Sequence, residues 1–156
     1  MKIEKYSDGI HISGYVNITG TLSRPIRTPY GIFIETIEKR AFASALYENK
    51  NVVVMLNHDK KRTYARTADG SLKVYEDDTG LFADAFITDS HIIELASKGR
   101  LNGWSFGMCN SVSEIEQSPD HKYPVRHIKS FYLTHISLLS DGYIPIYSSA
   151  SKVNIR

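Results

Sequence analysis

A single cysteine, Cys109, is all the thiol chemistry in these 156 residues. No internal disulfide can staple the chain, so its stability has to come from a core. No apolar run approaches the ~20 residues that a membrane-spanning helix needs, and the opening MKIEKYSDG lacks the apolar stretch of a signal peptide. A cytoplasmic protein is the expectation. Charge of one sign is missing as well: 19 Lys and Arg stand against 17 Asp and Glu, for a net +2. No basic run gathers that excess into the concentrated patch that phosphate backbones require. Neither nucleic acid nor membrane is therefore an expected partner. His11, His91, His121 and His127 have no His-Glu-x-x-His spacing and no cysteine companions, so no metal and no other cofactor is expected. Internal repeats and low-complexity segments are absent too.

What is present reads as one ordinary domain. Hydrophobic residues make up 42% and charged residues 23%, enough apolar material for a single continuous core. Residues 1–150 are assigned to that domain and 151–156 to a short C-terminal tail.

Gly9 to Thr19 alternates apolar and polar residues, as a half-buried strand does, and Gly31 to Thr36 has similar character after a loop from Leu22 to Pro29. From Ile37 the apolar residues (Ile37, Ala41, Phe42, Ala45 and Leu46) shift to helical spacing, with Thr36 available as a cap and an end near Asn49. Val52 to Leu56 is a short continuous apolar run, the pattern of a strand buried on both faces. It delivers Asn57, His58 and Asp59 at its end. Tyr64–Thr67 and Leu72–Tyr75 are expected to form a hairpin through Asp69 and Gly70. Leu81 to Ile87 is a further strand, and a helix capped by Asp89 or Ser90 follows and stops at Gly99. Trp104 to Val112 and Val125 to Leu139 complete the strands. The implied fold class is α+β, mainly β: an antiparallel barrel or strongly curled sheet with two helices outside it.

Within Trp104 to Asn110, strand alternation sets Trp104, Phe106 and Met108 on one face and Ser105, Gly107 and Cys109 on the other. Ser105 thus stands apart from the aromatic face, and Gly103 and Gly107 leave room for a substrate to reach its hydroxyl. A serine needs a base within hydrogen-bond reach to act as a nucleophile, and an imidazole titrating near neutrality suits that task. His58 is the candidate base. The plainer alternative is that Ser105 fills a tight strand position and His58 caps a strand end. Cys109 as nucleophile is disfavoured, since four residues of strand separate it from Ser105 by about 13 Å; a buried free thiol is its expected fate.

The order of motifs along the chain resembles the prohead proteases of tailed bacteriophages, capsid-maturation enzymes related to the herpesvirus assemblin proteases. The matching pieces are SRPI at Ser23, GIFIETIEKRAF from Gly31, NHD at Asn57, ARTADGSL from Ala65, EDDTGLFADAFI from Glu76, LNGWSFGM from Leu101 and LTHISLLSDGYIPIY from Leu133. NHD followed by GWSFG within that frame is the specific part. The resemblance implies a herpesvirus-protease-like barrel flanked by helices, with His58 as base and Ser105 as the nucleophile that becomes acylated. In many phage relatives the position of His135 is acidic, whereas herpesvirus relatives use a second histidine there, which implies a Ser105, His58, His135 triad. Asp59, Glu114 and Glu116 remain alternatives for the third group. Backbone amides of Phe106 and Gly107 are the implied oxyanion donors, with Arg126 as a supporting cation.

The implied substrates are the major capsid protein and the scaffold, cleaved inside the assembling prohead in the host cytoplasm, together with the enzyme itself. A homodimer is an expectation by analogy. The competing functions are a catalytically silent assembly module on the same fold and a small ligand-binding β-barrel, which would leave the run of matched segments unexplained.

Overall fold

The computed structural model describes residues 1–147; the tail expected at residues 151–156 lies outside them. Among the described residues, ten strands and two α-helices follow one another as β1 (Lys2–Lys5), β2 (Ile10–Ile18), β3 (Ile26–Thr28), β4 (Gly31–Ile37), α1 (Ala41–Glu48), β5 (Val53–Leu56), β6 (Ala65–Arg66), β7 (Leu72–Glu76), β8 (Gly80–Ile87), α2 (Ser90–Ser97), β9 (Leu101–Glu116) and β10 (Val125–Ser140). The mixed, mainly β class and the two helices agree with the sequence reading. The closed antiparallel barrel does not. Among the described residues the strands form two open sheets, one ordered β1-β2-β8-β7 and the other β3-β4-β10-β5-β6 with β9 also on β10. The second sheet is mixed, because β10 pairs parallel with both β4 and β5. The helical crossover α1 makes β4 and β5 run the same way, so β10, lying against both, takes the same sense relative to each.

β10 organises the site. One of its edges is covered along its whole length by β9, antiparallel. The other edge takes β4 at Val125–Ile128 and β5 at Ile136–Leu138. Between those two stretches α1 packs on β10, and the Asn49 side chain at the helix's end donates to the Leu133 carbonyl at 2.8 Å. That bond satisfies a backbone acceptor no strand reaches.

Local rules explain most elements. Along β8, Leu81, Ala83, Ala85 and Ile87 are fully buried and alternate with half-buried positions, as a strand with one face on the core requires. Phe42 of α1 is fully buried and meets Phe106 and Phe131 edge-on, with centroids 5.0 and 5.2 Å apart. Such a side chain contributes about 1.5–3 kcal/mol by burial, and each aromatic pair adds roughly 0.5–1.5 kcal/mol. α2 has the expected Asp89 cap, which accepts from the His91 and Ile92 amides.

Three local expectations fail. The stretch from Leu22 to Pro29, expected as a loop, contains β3, which pairs antiparallel with β4. The helix α1 starts at Ala41, not near Ile37, because β4 continues through Ile37; the cap is the Glu76 carboxylate of β7, which accepts from the Arg40 and Ala43 amides at 2.8 and 2.7 Å. β6 and β7 do not form a hairpin with each other. A 3-10 turn at Thr67–Asp69 separates them, β6 pairing with β5 and β7 with β8. Turn residues fix a reversal of direction, whereas the pairing partner is chosen by the buried faces on either side.

Candidate active site

Three neighbouring strands each bring one group. β9 carries Ser105, β10 carries His135, and β5 ends in Asn57 and His58. In the β9–β10 register Ser105 faces Ser137 and Gly107 faces His135, so these four residues share one side of the sheet. His58 has to reach across β10 from the far edge. It does so because Asn57 and His58 both adopt left-handed backbone conformations, with φ of 52° and 59°, which turn the chain back over the sheet. Left-handed geometry costs a non-glycine residue roughly 1–2 kcal/mol, and a set of hydrogen bonds offsets it. The Asn57 amide donates to the Leu138 carbonyl at 2.8 Å. The Asn57 side chain donates to Ser140 Oγ at 2.8 Å and accepts from the Ser140 amide at 2.9 Å. The His58 amide donates to Ser137 Oγ at 3.0 Å.

The result is a line of polar atoms. Ser105 Oγ lies 3.0 Å from His58 Nε2, His58 Nδ1 lies 2.7 Å from His135 Nε2, and His135 Nδ1 lies 2.9 Å from Thr134 Oγ1. His58 keeps a solvent-exposed edge, yet loss of water around the rest of its ring holds its pKa below the ordinary histidine value. His135 is 5% exposed. Burial first, then the neighbouring His58 and Lys60 charges, push its pKa down to about 4, so it is neutral near pH 7 and able to accept a proton-sharing bond from His58.

The other groups considered for the third position are engaged elsewhere. Asp59 Oδ1 accepts from the Lys61 amide at 3.0 Å, Glu114 pairs with Lys129 at 2.9 Å, and Glu116 pairs with His127 at 2.7 Å. Arg126 pairs with the buried Glu35 carboxylate, and its guanidinium lies over the Phe33 ring. Tyr147 donates to the other Glu35 oxygen at 3.3 Å. Cys109 is exposed, against the expectation of burial, because β9 leaves the core after Met108 and its last residues face solvent. Among the described residues no group of three His, Cys, Asp or Glu side chains is placed to hold a metal ion, and no helix is long and apolar enough to cross a membrane.

Phe106 and Gly107 follow Ser105 on a strand whose pairing is with β10 on one edge. Successive amides of a strand point to opposite edges, so one of these two N–H groups faces away from β10. Gly107 also leaves space for its neighbours. A β-carbon there would lie 2.6 Å from Thr134 Oγ1 and 2.7 Å from His135 Nδ1, a space that only glycine leaves free.

The sequence reading placed Asn57 in the polar trio after β5 without giving it a role, and missed Ser137 and Thr134. Ser137 left a signal: it is a hydroxyl amid Ile136, Leu138 and Leu139 in an otherwise apolar run, and a polar group buried in such a run must have partners. Thr134 left none.

A hydroxyl within hydrogen-bond reach of an imidazole that is itself held by a third group is the geometry in which an alcohol can be activated for acyl transfer. The chain matches the family model described as caudovirus prohead serine protease over residues 1–155, and it belongs to that family of serine peptidases of phage capsid maturation. No curated protein and no solved structure matches the chain significantly.

Proposed function

We propose that the protein is a serine endopeptidase of prohead maturation working through a Ser105, His58, His135 triad. One observation carries the reading: His58 bridges the other two side chains, with Nε2 at 3.0 Å from Ser105 Oγ and Nδ1 at 2.7 Å from His135 Nε2. In acylation Ser105 Oγ bonds to the scissile carbonyl carbon as its proton passes to His58 Nε2. His58 then gives that proton to the leaving nitrogen as the C–N bond breaks, and an ester on Ser105 remains. In deacylation His58 takes a proton from water, the hydroxide attacks the ester, and Ser105 regains its proton from His58. The outward-facing amide of Phe106 or Gly107 is the donor for the developing oxyanion.

A neutral His135 orients His58 but stabilises the imidazolium as a dipole, not as a charge. Turnover is therefore expected to be modest beside enzymes with a carboxylate third group. Confinement within a shell raises the local concentration of enzyme and substrate, and a slow enzyme suffices there. The substrates proposed are the major capsid protein, the scaffold and the protease itself, within the prohead in the host cytoplasm. Homodimerisation and kinship with the herpesvirus assemblin proteases belong to the same reading, the second histidine being its support.

The test is incubation of wild-type and Ser105→Ala chains with the cognate capsid or scaffold protein, followed by intact mass. Cleavage by wild type alone is the expected result. Equal cleavage by both removes Ser105 as the nucleophile, and silence from both folded chains favours the assembly module.

A further inference from the structure

We infer that Cys109, Val112 and Tyr132 form a shelf that selects substrates, accepting an extended protein segment with a bulky apolar side chain about four residues from the scissile bond; this rests on the reading of Ser105 as the nucleophile. Alternation along β9 puts Ser105, Gly107 and Cys109 on one face. The register sets Tyr132 opposite Cys109 and Ser130 opposite Val112, with one extra residue of β9 between the two pairs. Directly opposite residues share a face, so Tyr132 and Val112 continue the face of the nucleophile away from it. The other face of the same ribbon packs Phe106, Met108, Phe131 and Leu133 in or against the core. Apolar side chains belong there, yet Tyr132 is 44% and Val112 58% exposed, and Cys109 is exposed as well. A lone exposed tyrosine needs no explanation; this one shares a strand pair and a face with the reacting hydroxyl.

The backbone supplies a way to hold the chain that would cover the shelf. Among the described residues the edge of β9 away from β10 pairs with no strand. An open edge accepts an extended segment through backbone hydrogen bonds, while alternate side chains give specificity. Such a segment advances in step with β9. With its scissile carbonyl at Ser105, a residue about four positions away, roughly 13 Å along the strand, lies beside Cys109. The cysteine is small, and an aromatic side chain on the directly opposite residue is within reach across it. Burial against Tyr132 and Val112 then favours protein segments over small reagents, which do not extend that far.

The experiment reads two rates on each protein. One is the second-order rate at which diisopropyl fluorophosphate labels Ser105: an O–P bond forms, fluoride leaves, and the serine proton goes to His58. The other is kcat/KM for cleavage of the cognate scaffold or capsid protein. Tyr132→Ser is expected to label as fast as wild type and to cleave roughly tenfold less efficiently, through KM. Tyr132→Phe, which keeps the ring, should match wild type on both. N-ethylmaleimide bonds its alkene carbon to the sulfur of Cys109, the sole thiol, as the thiol proton passes to the adjacent carbon. The added bulk is expected to cut cleavage of wild type by a similar factor without slowing labelling, and Cys109→Ser should resist it. At the mapped cleavage site, Ser in place of the apolar residue about four positions out should slow wild type but slow Tyr132→Ser no further. Full cleavage by Tyr132→Ser or by the alkylated protein overturns the inference, as does equal loss of labelling and cleavage, which marks a merely structural effect. Failure of the protease reading looks different: Ser105→Ala would then cleave as fast as wild type, or neither would cleave, and the shelf falls with it.

Discussion

Ser137 faces Ser105 across the β9–β10 pair while its hydroxyl accepts the His58 amide at 3.0 Å. One buried side chain of β10, on the residue opposite Ser105, thus holds the backbone of His58. The Ser137 hydroxyl has the Leu138 and Met55 carbonyls within reach of its own hydrogen, at 3.0 and 3.3 Å, which leaves a lone pair for the His58 amide. Ser137→Ala is expected to leave the His58 amide without its partner and to slow fluorophosphate labelling of Ser105 roughly tenfold. The melting temperature should fall by the amount that one unsatisfied polar group implies, about 1–3 kcal/mol. Labelling at the wild-type rate would show that Ser137 does not position the base.

Gly107→Ala tests the space rather than the bond. The added methyl meets the His135 ring and Thr134 Oγ1, neither of which lies at the end of a long flexible chain. Overpacking of this kind costs typically about 1–3 kcal/mol. The expected outcome, if His135 orients His58 as proposed, is a folded but less stable protein with labelling reduced at least about a hundredfold, because the displaced ring is the one in contact with His58 Nδ1. A variant that labels normally would mean that His135 can move away without consequence for catalysis.

The two histidines give stability and activity separate dependences on pH. His135 is held at about 4 when folded, below the ordinary histidine value of 6.5, so the unfolded chain binds a proton that the folded one refuses. Stability is therefore expected to fall as pH drops below 6.5 and to level off near 4, with a slope of at most about 1.36 kcal/mol per pH unit from this group. Denaturant melts of wild type and His135→Ala between pH 7.5 and pH 4 measure it; parallel curves would remove His135 as the source. The labelling rate should decline with acid as His58 protonates. Its midpoint is expected below 6.5, since burial lowers the His58 value.

Arg126 separates two roles. Its guanidinium holds the buried Glu35, to which Tyr147 also donates, and removing one partner of a buried pair costs on the order of 3 kcal/mol. Arg126→Ala is expected to lower the melting temperature and to leave the labelling rate of the folded protein unchanged. The reverse pattern, a normal melt with slow labelling, would make Arg126 the cation that supports the oxyanion.

Cys109→Ser is expected to change neither quantity, since the thiol is exposed on β9 beyond the reach of His58. Loss of labelling in that variant would transfer the nucleophile from Ser105 to Cys109.

The sequence by itself determined the strands and helices whose signals are local. The alternation of Leu81 to Ile87, the β-branched run before Asn57, and Asp89 ahead of an apolar helix each act within a few residues. It also put forward Ser105 and His58, through the resemblance of NHD and GWSFG to the family's motifs, where the local pattern alone left a tight strand position and a strand cap as the plainer reading. Pairing was decided only in the tertiary structure. That β6 joins β5 instead of β7, that Glu76 caps α1, and that β10 runs parallel to β4 and β5 depend on which faces are buried together, and no local pattern encodes that. The same holds at the site. Ser137 meets the His58 amide and Thr134 meets the His135 ring through a register and a bulge, which arise only when β9, β10 and the reversed turn at Asn57 and His58 are packed against one another.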